Sequence, residues 1–292
     1  EDEIAGICSA IGASFTGSLA ITTTSGPGLA LKGEALGLAI MTELPLVVVD
    51  VQRGGPSTGL PTKTEQSDLF QALYGRNGES PAVILASSTP ANCFDWSYMA
   101  SKITLEHNTP VVLLSDGYLG NGAEPWNIKS TKDKPSITPN IATEGEEYLP
   151  YKRDDRTLAR ELALPGTKGM EHRLGGLEKE DITGNVSYDG DNHEKMCRIR
   201  EEKINRISNI LPKQEVFGKE KGDLLVVGWG GTHGSLYSAV EKLQKEGLNI
   251  SLSQFNYINP LPKNTAEIFN NFKKIVVCEL NNGQFVNYLR MK

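Results

Sequence analysis

The stretch LAITTTSGPGLALKGEALGLAIMTELPLVVVDV, residues 19–51, decides the fold class. It begins and ends with runs rich in Val, Ile, Leu and Thr, at residues 19–24 and 46–51, which are typical of β-strands. A helix-length apolar pattern at residues 29–41 lies between them. A strand, a helix and a second strand in this order predict a βαβ unit with parallel strands.

The same alternation recurs and predicts two α/β domains with parallel sheets covered on both faces. Further strands are expected at residues 82–86, 111–115, 224–228, 250–255 and 274–279. Further helices are expected at residues 4–19, 90–106, 235–246 and 264–272.

Between the two α/β regions the composition changes, so the chain divides into residues 1–123, 124–211 and 212–292. The middle part contains five prolines and many charged residues. It is predicted to be an extended charged arm that clasps another domain or subunit and ends in an amphipathic helix. The apolar side of that helix carries Met196, Ile199, Ile204, Ile207 and Leu211. Because the chain starts without Met and stops after a predicted strand and a glycine turn, we expect a fragment cut at both ends.

Composition excludes several classes of protein. The 292 residues include 30 Lys and Arg against 36 Asp and Glu, a net charge of −6, with no basic tail. This balance argues against nucleic acid and anionic membranes as partners. The longest apolar stretch, residues 44–49, is far shorter than the roughly 20 residues of a transmembrane helix. Four scattered cysteines without a CxxC pair argue against a disulfide framework, a zinc site and an iron–sulfur cluster on this chain, and favour a cytoplasmic location.

The loop TTTSGPG, residues 22–28, follows a predicted strand and opens a helix. Backbone N–H groups at a helix start attract anionic ligands, and glycines let a ligand approach the main chain. The same sequence also suits a simple tight turn, with Ser25 as N-cap and Pro27 at the first helical position. The loop matches neither a Walker A motif nor GxGxxG.

A longer loop, QRGGPSTGLPTKTEQSDL at residues 52–69, begins where the predicted strand 46–51 ends. Ligands of open α/β sheets bind beyond the carboxyl ends of strands, and long loops are often functional. Arg53 lies at its start beside two glycines, where a planar guanidinium suits bidentate binding of a carboxylate. A surface arginine is the alternative interpretation.

Acidic and glycine-rich segments are also candidates for function. Glu1, Asp2 and Glu3 precede the first helix, where carboxylates favour the helix dipole unless one of them faces a ligand. GWGGTHG at residues 228–234 is reminiscent of a dinucleotide loop, but the next strand ends in Gln254 rather than the acid that NAD requires. SDGYLGN at residues 115–121 is predicted to be a turn rather than a magnesium–diphosphate loop.

Several long segments resemble the alpha subunit of 2-oxoacid:ferredoxin oxidoreductases, most closely the 2-oxoglutarate type. The most specific is VQRGGPSTGLPTKTEQSDL, residues 51–69. Others are residues 1–50, SDGYLGNGAEPW at 115–126, residues 165–196, GDLLVVGWGGTHGS at 222–235, NPLPKN at 259–264 and CELNNGQ at 278–284. The resemblance covers nearly the whole chain.

The resemblance implies a thiamine diphosphate enzyme that oxidatively decarboxylates 2-oxoglutarate to succinyl-CoA and CO2, with electrons passing to ferredoxin. Residues 1–123 would form the pyrimidine-binding domain and residues 212–292 a transketolase C-terminal-like domain. The resemblance assigns Glu3 to the pyrimidine N1′ atom as the catalytic acid and Arg53 to the substrate. The loop carrying Thr24, Ser25, Gly26 and Pro27 would complete the cofactor contact.

The resemblance further implies a hetero-oligomer. Mg²⁺, the diphosphate motif and the iron–sulfur cluster are assigned to a beta subunit, so this chain alone is expected to be inactive. Coenzyme A and a 2-oxoacid are the expected substrates, and pyruvate or a branched-chain 2-oxoacid is an alternative to 2-oxoglutarate. A dicarboxylate would need a second cation, for which Lys63 and Arg76 are candidates. A non-catalytic, nucleotide-binding electron-transfer subunit is the alternative from another class.

Overall fold

Runs of aliphatic and β-branched residues form the strands of two sheets in the computed structural model of the chain, which describes residues 2–143 and 147–292. Glu1 of the predicted acidic cluster and residues 144–146 of the predicted arm lie outside the described residues. The strands are β1 (Ile21–Thr24), β2 (Leu46–Gln52), β3 (Val83–Ala86), β4 (Pro110–Asp116), β5 (Gly222–Trp229), β6 (Ile250–Phe255), β7 (Tyr257–Asn259) and β8 (Phe272–Cys278).

The larger sheet has the strand order β1-β2-β4-β3-β7, and the smaller has the order β6-β5-β8. Strands β1 to β4 pair in parallel, and β7 runs antiparallel to β3 at the edge. All pairs of the smaller sheet are parallel. Strands β3 and β4 are buried throughout, which explains their continuous apolar sequence. The predicted parallel α/β architecture is confirmed.

Helices cover these sheets, and most lie where the apolar periodicity predicts them. The described helices are α1 (Glu3–Phe15), α2 (Gly26–Leu31), α3 (Gly33–Met41), α4 (Leu69–Tyr74), α5 (Asn92–His107), α6 (Gly117–Asn121), α7 (Gly190–Arg206), α8 (His233–Lys245), α9 (Thr265–Asn270) and α10 (Gln284–Met291).

The single helix predicted at residues 29–41 is wrong, because two helices occupy this region. Helix α2 already begins at Gly26, with Pro27 in its first turn, where its fixed φ suits a helix start. The break falls at Lys32, which ends α2 and precedes α3 with φ −80° and ψ −7°. A buried contact of the Lys32 side chain, described below, holds this break, and apolar periodicity carries no signal for it.

Four short elements are absent from the sequence prediction. Helix α6 replaces the turn expected at residues 115–121, with Asp116 as its N-cap. The chain also continues past the glycine turn at Gly283 into α10, so the predicted ending after a turn is wrong. Helix α4 and strand β7 have only six and three residues, too few for periodicity to identify.

One hydrophobic core extends from the larger sheet into the smaller one. Leu36 of α3 and Ile84 of β3 belong to the same buried cluster as Leu225 and Trp229 of the smaller sheet. Strand β7, which follows the smaller sheet's β6 in sequence, completes the larger sheet. The boundary predicted at residue 212 therefore divides the sequence but not the core.

The described part of residues 124–189 has little regular structure beyond isolated bridges, such as Tyr151 with Ile182. Helix α7 then packs against the larger sheet. Its Ile204 and the following Ile207 are buried in one cluster with Val47 and Val111. The C-terminal part of the predicted apolar stripe, with Ile204, Ile207 and Leu211, thus attaches the arm to the first sheet.

Candidate functional site

The first turn of α1 brings Glu3 against the start of α2. Asp2 is the N-cap of α1 and accepts a hydrogen bond from Ala5 N at 2.6 Å, so this neighbouring acid has a structural partner. A Cβ on Gly28 would lie 1.9 Å from Thr24 Oγ1, 2.8 Å from Glu3 Cγ and 3.1 Å from Glu3 Oε1. Only glycine at position 28 therefore lets Glu3 and Thr24 approach the helix this closely.

The loop of residues 22–28 connects β1 to α2, as its sequence predicts. Ser25 is the N-cap of α2 but makes no side-chain hydrogen bond to the helix backbone. Its Oγ instead accepts a hydrogen bond from Arg53 Nε at 3.2 Å. Thr24 Oγ1 donates to the Ser25 carbonyl at 3.3 Å. Ser25 and Pro27 are partly exposed, whereas Gly26 is buried.

Arg53 directly follows β2 and reaches the loop of residues 22–28 through its Nε–H. Among the described residues, neither of its terminal nitrogens takes part in a hydrogen bond or an ion pair. A guanidinium held by Nε with both terminal nitrogens free matches the geometry of a carboxylate. The two loops singled out in the sequence thus meet through Arg53 and Ser25.

Lys32 is a buried residue of this region that the sequence analysis missed. Its Nζ donates to the Glu3 carbonyl at 2.9 Å and to Thr22 Oγ1 at 3.3 Å, and only 2 % of the residue is exposed. Burial lowers the pKa of Lys32, against the opposing effect of Glu3 and Asp2. Lys32 therefore ties the start of α1 to β1 and α2. A lysine within an otherwise apolar run was the available signal.

A second acid, Asp68, supports the loop from below and was also missed. A Cβ on Gly26 would lie 2.4 Å from Asp68 Oδ1, so the carboxyl group packs directly on this glycine. The Asp68 N–H donates to Gln52 Oε1 at 3.2 Å, and Gln71 Nε2 donates to the Gly26 carbonyl at 3.1 Å. Asp68 and Gln71 thus form the floor beneath the start of α2.

Arg76 and Lys63, the two cations proposed to bind the distal carboxylate of the substrate, have different surroundings. Arg76 donates to the carbonyls of Ala72, Leu73 and Ser80 at 2.8–3.1 Å, and burial lowers its pKa to about 10. Its guanidinium is therefore committed to the backbone, and Arg76 is a wrong candidate. Lys63 is exposed in the loop that follows Arg53.

The glycine turn at residues 230–231 is filled by side chains from the larger sheet's loops. Gln66 Nε2 donates to the Trp229 carbonyl at 2.7 Å, and the Gly231 N–H donates to Asp116 Oδ2 at 3.1 Å. Asp116 also caps α6. These contacts join the two sheets and leave no open dinucleotide turn. Nowhere in residues 2–143 and 147–292 do three or more His, Cys, Asp or Glu side chains converge as metal ligands would.

Comparisons with known proteins identify the family to which most of the chain is similar. Residues 1–188 match the family described as pyruvate flavodoxin/ferredoxin oxidoreductase, thiamine diphosphate-binding. The 2-oxoglutarate oxidoreductase subunit KorA of Mycobacterium tuberculosis is 51% identical over 294 residues, which cover 100% of this chain and 45% of that protein. The 2-oxoglutarate synthase subunit KorA of Methanothermobacter marburgensis is 33% identical, over 97% of this chain and 75% of that one.

Two solved structures are similar to this chain over its whole length. The 2-oxoglutarate:ferredoxin oxidoreductase from Magnetococcus marinus, with 2-oxoglutarate, coenzyme A and succinyl-CoA bound, has a TM-score of 0.92 and 36% identity, covering 100% of this chain and 51% of that one. A split-gene transketolase at 12% identity and a TM-score of 0.51 shares the fold. The chain thus spans about half the length of the Mycobacterium and Magnetococcus proteins. Within the described ranges, no helix is both long and apolar enough to cross a bilayer.

Proposed function

The chain belongs to the pyruvate flavodoxin/ferredoxin oxidoreductase family, and we propose that it is the alpha component of a 2-oxoglutarate:ferredoxin oxidoreductase. One observation carries the proposal: Glu3 packs on Gly28 at the same loop whose Ser25 holds Arg53. An acid and a cation that contact the same short loop provide an acceptor for a protonated ring nitrogen and a pair of donors for a carboxylate.

The residues present fit the pyrimidine end of thiamine diphosphate. The glycine at position 28 lets the Glu3 carboxylate lie beside Thr24 at the start of α2. Lys32 fixes the backbone of Glu3 through the 2.9 Å hydrogen bond to its carbonyl. When bound, thiamine diphosphate supplies the nucleophilic carbon and the electron sink that decarboxylation of a 2-oxoacid requires.

Glu3, the loop of residues 22–28 and Arg53 then have distinct roles. The Glu3 carboxylate would hydrogen-bond the aminopyrimidine at N1′ and hold the proton there. Thr24, Ser25, Gly26 and Pro27 would contact the ring, since they form the loop next to Glu3. The free terminal nitrogens of Arg53 would bind the 2-oxoacid carboxylate through two parallel hydrogen bonds.

The remaining parts of the reaction would come from a partner. We assign Mg²⁺, the diphosphate contacts and the iron–sulfur cluster to a beta subunit, with ferredoxin and coenzyme A as further partners. The names of the relatives, which are subunits, support a multi-subunit complex, and the ligands of the Magnetococcus structure support coenzyme A and a 2-oxoacid as substrates. Four free cysteines support a reducing, cytoplasmic location.

The test uses the complete complex of this chain with its beta subunit and compares Glu3→Gln with Glu34→Gln, an exposed first-turn acid of α3. We expect Glu3→Gln to slow hydrogen exchange at the cofactor's C2 atom by about 10²–10⁴-fold, because acid–base groups contribute that much. The Glu34→Gln complex should show the same rate of hydrogen exchange at C2 as the parent complex. Normal exchange in Glu3→Gln would refute the assignment.

The substrate is tested in the same complex by parallel turnover of 2-oxoglutarate, pyruvate and 2-oxoisovalerate with a viologen acceptor. We expect the highest kcat/KM with 2-oxoglutarate. A clear preference for either of the other acids would reject the substrate assignment and leave the cofactor site standing.

A further inference from the structure

Two carboxyl groups meet in the interior beneath the loop of residues 22–28. Asp50 lies within β2 and is 0 % exposed, and Asp68 precedes α4. Their side chains are in hydrogen-bond contact with each other. Both carboxyl oxygens of Asp50 and Oδ2 of Asp68 are buried, and no N–H or O–H group of the described residues donates to them.

This contact requires a proton. Two ionised carboxylates in contact and away from water repel each other strongly, so one of them must be protonated. The proton also accounts for one oxygen of each acid, because the O–H of one acid donates to the other. Asp50 is the deeper of the two and faces no cation among the described residues.

Asp68 faces a mixed environment. Arg53 and Glu65 are the charged groups near it besides Asp50, and its carboxyl packs on Gly26. Burial and Asp68 raise the pKa of Asp50 well above its usual range. Burial raises the pKa of Asp68 to about 6, while the hydrogen bond from Asp50 and the charge of Arg53 oppose this. Asp50 is thus the protonated partner at neutral pH.

We propose that Asp50 keeps a proton that it donates to the Asp68 carboxylate, and that this acid pair positions Gly26 and Arg53. Both acids act as positioning residues, through Gly26 and Arg53. The pair holds the floor of the loop through Gly26 and opposes the charge of Arg53 with a single negative charge. The effect on catalysis rests on the function proposed above, whereas the shared proton does not.

Replacing Asp50 by asparagine removes the shared proton but keeps a donor to Asp68, whereas replacing it by valine removes both. The amide of Asp50→Asn still donates to Asp68, so the floor and Arg53 should stay in place and kcat/KM should remain close to that of the parent complex. Asp50→Val has no donor and leaves the Asp68 carboxylate unsatisfied. We expect it to lower kcat/KM for the 2-oxoacid by roughly ten- to a hundredfold, since small misplacements of binding groups have effects of this size.

The experiment is infrared spectroscopy of the complete complex with ¹³C-labelled aspartate at pH 7.5, together with kcat/KM profiles against pH. The parent complex and the control Glu65→Gln should show the carbonyl band of a protonated aspartic acid, and Asp50→Asn should lack it. A parent complex without this band, or an Asp50→Asn complex that keeps it, overturns the shared proton.

The kinetic profiles test the positioning role. Protonation of Asp68 removes the charge beside Arg53, so kcat/KM of the parent complex should fall below pH 6, and Asp68→Asn should lose this acid limb. Equal kcat/KM values for Asp50→Asn and Asp50→Val would overturn the positioning role. If Arg53→Lys leaves kcat/KM unchanged while the infrared result holds, the proposed substrate site fails and the acid pair stands.

Discussion

Replacing Glu43 by Gln should detach the arm from the first domain. Glu43 lies between α3 and β2 with φ 51°, and only 4 % of the residue is exposed. Its carboxylate accepts hydrogen bonds from Arg153 at 3.0 and 2.6 Å and from Lys203 Nζ. Lys203 also donates to the Asn108 carbonyl at 2.8 Å, and Arg153 to the Leu158 carbonyl at 3.0 Å. One buried acid thus holds two buried cations of the arm.

The expected loss of unfolding free energy follows from the burial of these three side chains. The side chains of Glu43, Arg153 and Lys203 are 5 %, 6 % and 4 % exposed. Removing one partner of a buried ion pair costs about 3–5 kcal/mol, because the other charge stays buried without compensation. This is a large part of the roughly 5–15 kcal/mol that stabilises a typical folded protein. Gln keeps the shape and still accepts one hydrogen bond, so we expect about 3 kcal/mol.

The pH dependence has a definite sign. Burial by itself would raise the pKa of Glu43, but Arg153 and Lys203 outweigh it and hold this pKa well below its usual value. A lowered carboxyl pKa contributes stability above the unfolded pKa, and this stability is lost as pH falls. Burial lowers the pKa of Lys203 to about 8 despite Glu43, so Glu43→Gln should lower it further. The variant's deficit should then shrink as pH rises from 6 to 9, because Lys203 becomes neutral.

The assay is denaturant unfolding of the complete complex, followed by the rate at which protease cuts residues 124–189. Glu194→Gln is the matched control, since within the described part of the chain Glu194 pairs with Arg198 alone, on the exposed side of α7. We expect a lower unfolding midpoint and faster cleavage in Glu43→Gln, and no measurable change in the control. Equal midpoints and equal cleavage rates for the two variants would refute the reasoning.

Two further changes test the loop of residues 22–28. Arg53→Lys keeps the charge but loses the paired N–H groups, so kcat/KM for the 2-oxoacid should fall about a hundredfold, or about 2.7 kcal/mol; an unchanged value in steady-state assays would remove Arg53 from the site. Gly28→Ala places a methyl group 1.9 Å from Thr24 Oγ1 and should displace Glu3, which calorimetric titration should detect as weakened thiamine diphosphate binding to the complex. In the control Gly12→Ala, the added methyl group in α1 has no neighbouring atom within 4 Å, so this variant should bind thiamine diphosphate normally and gain about 0.5–1 kcal/mol of stability. Equal thiamine diphosphate binding by the two variants would contradict the close contact at Gly28.

The sequence predicts the long buried strands well. Strand β2 was expected at residues 46–51 and β4 at 111–115, each within a residue of the observed ends. Strands covered on both faces are apolar at most positions, and the linear sequence carries that pattern directly. Arg53 was also singled out from the sequence, because it follows a strand end beside two glycines, whereas the family resemblance selected Glu3 among three neighbouring acids. Their functional roles remain predictions.

What the sequence could not supply is the spatial proximity of residues that are distant along the chain. From the sequence, Arg76 was as good a candidate as Lys63 for the second cation. In the fold, however, its guanidinium donates to three backbone carbonyls. Strand β7 pairs with β3 across more than 170 residues, which no local periodicity records.

The acid pair shows the physical reason most clearly. Asp50 is one polar residue in an apolar run, and Asp68 is one acid in a polar loop. Composition and periodicity determine that β2 is buried and therefore that Asp50 is buried with it. Only tertiary packing decides that its neighbour is another carboxyl group rather than a cation. Electrostatic energy depends on distance and on exclusion of water, and the fold sets both.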